Sequence, residues 1–78
     1  MALTKKQLIA LCDARAEAAA DGLRRSGRRW SSARPFADTH DVRTIVSLAD
    51  VGYLRFWDNG DVAHITDRGI EYLQEEGL

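Results

Sequence analysis

Five arginines fall within the eleven residues RRSGRRWSSAR (24–34), the densest chemistry in a chain of 78 residues. Arg24, Arg25, Arg28, Arg29 and Arg34 stay charged at physiological pH and offer forked donors that match phosphate or carboxylate oxygens. Grouped this closely, they can neutralise several phosphates with release of counterions, or grip an acidic protein. Their internal competitors are Glu17, Asp21 and the acidic second half of the chain. Other chemistry finds little material. No nucleophile stands at a recognisable spacing from a base, no glycine-rich phosphate loop occurs, and there is no Cys/His quartet. His40 and His64 are separated by a predicted helix and hairpin, which argues against a shared metal. The single Cys12 permits no internal disulfide, and its neighbours Leu8, Ile9, Leu11 and Ala16 predict a buried helical thiol. These residues point to a binding protein without catalysis, metal, cofactor or small-molecule substrate.

The net charge of −1 conceals two unlike halves. Residues 1–36 hold eight Lys/Arg against three acids, and residues 37–78 hold three Arg against nine acids. Such halves predict one basic and one acidic face, each able to select a partner. The length predicts a single domain over 1–78, marginal in stability because a chain this size buries only about 60% of its unfolded surface. No apolar run approaches the roughly 20 residues of a membrane span. MALTKKQLIALC lacks the h-region of a signal peptide, so the expected compartment is cytoplasmic.

The elements that must position these residues follow from caps and periodicity. Thr4-Lys5-Lys6-Gln7 is a capping box, with Leu3 and Leu8 at the staple positions. Leu8, Ile9, Cys12, Ala16, Ala19 and Leu23 predict one apolar stripe on a helix running from Lys5 to between Asp21 and Arg25, with Gly22 as its stop. Residues 24–38 show no clear period and predict a loop with at most a short helix or strand around 30–36, anchored by Trp30 and Phe36. Ser31, Ser32 and Thr39 read as caps. Asp38 or Thr39 should cap a second helix whose inward stripe is Val42, Ile45, Leu48 and Ala49, closed by Gly52. Tyr53–Trp57 predicts a strand with Leu54 and Phe56 inward. The Asn59-Gly60 pair predicts a two-residue type I′ turn, and Val62–Ile65 the return strand. Thr66 should cap a last helix with Ile70 and Leu73 inward and Tyr72 against the strands.

Thr44-Ile45, Leu48, Gly52-Tyr53-Leu54, Ile65-Thr66-Asp67-Arg68-Gly69 and Leu73 together resemble the winged helix-turn-helix domains of small bacterial and phage regulators. The resemblance spans residues 39–73. It implies an α+β fold of three helices with a two-stranded β-hairpin wing, in which the helix over 39–51 enters the major groove.

Two functions follow as expectations. In the first, the protein binds DNA, using the Arg24–Arg34 loop on phosphates and Arg43, Thr44 and Ser47, flanked by His40, in the groove. In the second, it binds a protein through Asp41, Asp50, Trp57, Asp58 and Asp61, as a phage-type, anti-CRISPR-like inhibitor of a nucleic-acid machine would. Asp41 and Asp50 on the groove helix, and Asp58 and Asp61 at the wing tip, favour the second, and the arginines favour the first. Self-association of the basic and acidic faces, as a homodimer, is a third reading.

Overall fold

In the computed structural model, which describes residues 3–18, 22–32 and 37–78, the first helix begins where the capping box puts it. Thr4 Oγ1 accepts from the Gln7 amide at 3.2 Å, and Gln7 Oε1 accepts from the Thr4 amide at 2.8 Å. This helix, α1 (Lys5–Ala16), is shorter than its alanine-rich sequence predicts. Leu23 does not extend it but opens a strand, β1 (Leu23–Ser26). Gly22 therefore does not stop a helix. It brings the chain onto a neighbouring strand so closely that a Cβ there would lie 2.5 Å from the Ala63 carbonyl oxygen, and its φ of +70° suits only glycine well.

Residues 24–31 are not a loop. β1 turns through Gly27-Arg28 into β2 (Arg29–Ser31), with Ser26 paired to Arg29 and Trp30 to Arg25. This is a two-residue hairpin, and Gly27, at φ +62°, supplies the positive φ that such a turn needs at its first position. A third strand, β3 (Thr39–Asp41), pairs with β2 and replaces the expected helix start. Helix α2 (Val42–Asp50) begins two or three residues later than a cap at Thr39 or Asp38 would place it, because Thr39, His40 and Asp41 remain in the ladder. Asp41 occupies its N-cap position without making a side-chain cap. α2 closes as predicted, with Gly52 N–H bonded to Ala49 O and Tyr53 N–H to Leu48 O, a Schellman motif.

The hairpin predicted around Asn59-Gly60 is present, and Asn59 (φ 58°, ψ 30°) and Gly60 (φ +89°) take the two positive-φ positions of the predicted type I′ turn, closed by Asp61 N–H to Asp58 O at 3.2 Å. β4 (Leu54–Trp57) and β5 (Val62–Ile65) pair antiparallel, and the register Trp57 to Val62 leaves four residues, Asp58–Asp61, in the connection. Asp58 and Asn59 both have positive φ, a conformation that their short side chains tolerate. β5 also pairs with β1, so the hairpin is one end of a sheet ordered β3-β2-β1-β5-β4. The described architecture is α+β, with three helices and a five-stranded antiparallel sheet, more strands than a two-stranded wing. The last helix, α3 (Asp67–Glu75), starts at the Thr66 cap as expected.

All helices pack on one face of this sheet. The core joins Ala10, Leu11 and Ala14 of α1, Ile45 and Leu48 of α2 and Leu73 of α3 to Leu23, Trp30, Leu54 and Ala63. The α1 stripe differs from the predicted one: Ile9 and Ala16 are exposed, Leu8 and Cys12 half-buried, and Ala19 lies outside the described residues. Alanines at 10 and 14 let α1 approach closely, which turns the helix away from the face that larger side chains suggested. Trp30 is a core anchor as predicted, while Phe36 lies outside the described residues. Phe56, expected inside, is 38% exposed and covers the margin of the core against Trp30.

Where α2, β4, β5 and α3 meet, Thr66 Oγ1 donates to Gly52 O at 2.6 Å and accepts from Gly69 N–H at 3.1 Å. A Cβ on Gly69 would sit 2.5 Å from Tyr53 O and 2.8 Å from Ile65 Cγ1. Gly69→Ala is expected to destabilise by about 3 kcal/mol through overpacking, and Thr66→Ala by about 2 kcal/mol through the lost cap and buried bond. Urea unfolding followed by circular dichroism measures both, with an exposed control such as Gln74→Ala near zero.

Candidate functional site

Residues opposite one another in an antiparallel ladder share a face, so the register sorts the strand side chains into two sets. Leu23, Trp30, His40, Leu54, Ala63 and Ile65 face the helices, with Arg25 and Phe56 at the margin of that set. The opposite face carries one row through all five strands: Thr39, Ser31, Arg24, Val62 and Trp57. Arg29 and Asp41 pair on the same face at one end, and Arg55 and His64 at the other. Among the described residues no helix lies on this face.

The hairpin brings four of the five predicted arginines onto one element, and Arg34 lies outside the described residues. Arg24, Arg25, Arg28 and Arg29 are all exposed. They do not point one way. Arg24 and Arg29 stand on the helix-free face, and Arg28 is at the turn. Arg25 stands on the other side, where its guanidinium meets Asp61 at 3.2 Å and its amide bonds Asp61 O at 2.9 Å. Arg29 is held in place by Thr39: its Nε reaches Thr39 Oγ1 at 3.0 Å, and its Nη2 reaches the same oxygen at 2.8 Å and Thr39 O at 3.1 Å. Arg28 O accepts from the Val42 amide at 3.2 Å, which ties the hairpin turn to the first residue of α2 beside Arg43.

On α2 the predicted groove residues separate. Arg43 is exposed, Thr44 is half-buried, and Ser47 is committed internally. The Ser47 hydroxyl accepts from Gln7 Nε2 at 2.9 Å and donates to Thr44 O at 2.8 Å. The outward line of α2 is therefore Arg43, Val46 and Asp50. His40 is not outward: it is 6% exposed, and its Nε2 lies 2.7 Å from Asp13 Oδ2. Of the predicted caps, Ser31 and Thr39 are strand residues and Ser32 is buried. Between α1, β3 and the start of α2 lies a cavity of about 330 Å³ lined by Lys6, Ile9, Arg29, Thr39 and Thr44, with Asp38 and Asp41 also on its wall.

The residues of the protein-binding alternative are dispersed as well. Asp41 and Asp50 stand at opposite ends of α2, and Asp61 is paired with Arg25. Trp57 is 52% exposed and lies on the His64 ring, with centroids 4.1 Å apart. His64 thus meets an aromatic neighbour on the sheet surface. Among the described residues no group of three or more metal-ligating side chains converges, and no helix is long and apolar enough to cross a membrane.

The bond that the sequence did not reveal is the one between His40 and Asp13, 27 residues apart. Its only signal was a pair of polar residues inside predicted helices, and neither suggested a strand-to-helix tie. Compared with known protein families, with characterised proteins and with solved structures, the chain matches none.

Because His40 is buried, removing its partner strands a polar ring in the core. Asp13→Ala is expected to destabilise by about 2 kcal/mol, and a double-mutant cycle with His40→Leu should show coupling of about 1 kcal/mol or more. Additive single effects would show that the bond contributes nothing beyond packing.

Proposed function

We propose that the protein is a small, non-catalytic nucleic-acid-binding domain that uses the arginines of the β1–β2 hairpin to hold phosphates. The observation that carries this reading is the hairpin itself. Four exposed arginines sit on one hairpin, three on its strands and Arg28 at its turn, and the Val42 to Arg28 bond sets that turn beside Arg43. A rigid hairpin loses less conformational entropy on binding than a free arginine-rich loop would, so its charges are already positioned. The winged-helix resemblance supports the same class of partner through the order α2, β4, β5, α3, with α2 as the groove helix. Yet the outward line Arg43, Val46 and Asp50 offers one cation and no amide to base edges. The reading therefore rests on phosphate contacts, with weak sequence preference. The anti-CRISPR-like and other protein-docking alternatives need an acidic patch. Asp41, Asp50, Asp58 and Asp61 are a poor source for one, since the first two are separated by the length of α2 and Asp61 already has a cation.

Fluorescence anisotropy with labelled generic nucleic acid, duplex and single-stranded, tests the proposal. Binding should weaken steeply between about 50 and 200 mM salt. Arg24→Gln and Arg28→Gln should each reduce the slope of log K against log salt by about 0.7 to 0.9. Absence of binding to either form at micromolar protein and low salt would sink the reading.

A further inference from the structure

We propose, resting on the nucleic-acid reading above, that the helix-free face of the sheet docks a single-stranded polynucleotide, with Trp57 as the platform on which a base stacks. A tryptophan left half-exposed on a domain this small needs a physical account. His64 lies against the indole, with centroids 4.1 Å apart and ring planes tilted by 34°, and Trp57 nevertheless stays 52% exposed. The platform is held from beneath. Val62, directly across the ladder from Trp57, is 3% exposed although it belongs to no part of the helix-covered core. His64 is held in turn, because the backbone at Gly22 lies so near that a Cβ there would be 3.2 Å from two of its ring atoms. A half-exposed aromatic held by its neighbours is what base stacking requires.

The charges on that face fit a polynucleotide. Its strand positions carry Arg24, Arg29 and Arg55 against a single acid, Asp41. Strand spacing puts Arg24 two strands, or about 10 Å, from Trp57, and Arg55 stands on the same strand and face as the indole. Phosphates flanking a stacked base would therefore meet Arg55 along the strand and Arg24 across the sheet. A cleft of about 220 Å³ opens beside the indole between Arg55, His64 and Asp67, which gives a base edge polar neighbours. In a duplex the bases already stack on one another and cannot reach a flat platform, whereas an unpaired strand can splay its bases onto a sheet. A protein partner fits less well: one indole with Arg55 on its own strand and Arg24 two strands away lacks the apolar centre of a protein interface.

The test uses the whole chain and a fluorescein-labelled oligothymidylate of about 15 nucleotides, with a duplex of equal length in parallel. The single strand is expected to bind more tightly than the duplex. Trp57→Leu should weaken it about tenfold while leaving the salt slope unchanged, since no charge is removed. Trp57→Phe, which keeps a π-face, should retain most of the affinity. A variant-independent readout is available because the chain has two tryptophans and Trp30 is buried. Oligothymidylate should quench the emission of Trp57 in the unmodified protein. Equal affinity for duplex and single strand, no quenching, or unchanged binding by Trp57→Leu would overturn the stacking platform while leaving phosphate binding intact. Failure to bind either form would remove both readings.

Discussion

Burial on one face of the sheet is the constraint on which the rest of this molecule depends. Three short helices supply enough apolar surface to cover one side of five strands, and among the described residues nothing helical covers the other. Every strand residue is therefore assigned by ladder parity to a dry side or a wet side. Leu23, Trp30, Leu54 and Ala63 fall on the dry side and join Leu11, Ile45, Leu48 and Leu73 in one core. Thr39, Ser31 and Arg24 fall on the wet side, where the Thr39 hydroxyl accepts from Arg29. Val62 falls there too, opposite Trp57, and is 3% exposed. The same parity that builds the core thus leaves an aromatic on the open face.

One-sided burial needs the helices to be fixed in register with the strands, and two polar ties do this. Thr66 links the end of α2 to the start of α3 through Gly52 O and Gly69 N–H, while its own amide bonds Tyr53 O at 3.0 Å. Gly69 is small because Tyr53 O occupies the space a side chain would need. The bond between His40 and Asp13 fastens the edge strand β3 to α1. Without it β3 would be a short strand with a single neighbour, and the turn that leads into α2 would lose its reference point. A polar group so deeply buried is costly unless it is paired, so the pair specifies geometry more than it adds net stability.

How legible the fold was depends on how local each signal is. Thr4 with Gln7, Gly52 with Ala49, Tyr53 with Leu48, and Thr66 with Gly69 are contacts within six residues, and each was readable from the residue types alone. The β1–β2 hairpin was hidden because RRSGRRWS has no apolar alternation: its strand residues are mostly arginine and serine, which carry no period. Asn59-Gly60 was legible as a turn because both residues accept positive φ, whereas the second two-residue turn, at Gly27-Arg28, was hidden along with its strands. Alanine-rich propensity overextended α1, because tertiary pairing of Leu23 with Ala63 outweighs a weak local preference. Of the candidate site, the arginine cluster was legible as composition. Its division between two faces was not, because that division is a property of pairing.

The same distinction resolves the apparent conflict between a regulator-like shape and an acidic second half. Charge counted along the chain predicts a basic face and an acidic face only if each half folds onto its own side. Here β1 and β2 come from the basic half and β3, β4 and β5 from the acidic half, and β1 lies between β2 and β5. The halves are interleaved, so parity and not chain position decides which charges meet. Several acids of the second half are occupied where acids stabilise structure: Asp67 stands in the first turn of α3 and Asp61 against Arg25. Asp13, from the basic half, holds His40. The helix-free face carries Arg24 and Arg29 from the first half and Arg55 and Asp41 from the second, with the indole at its β4 edge. A face with that balance is basic although the chain is not, and its partner should be sought by the sign of the face.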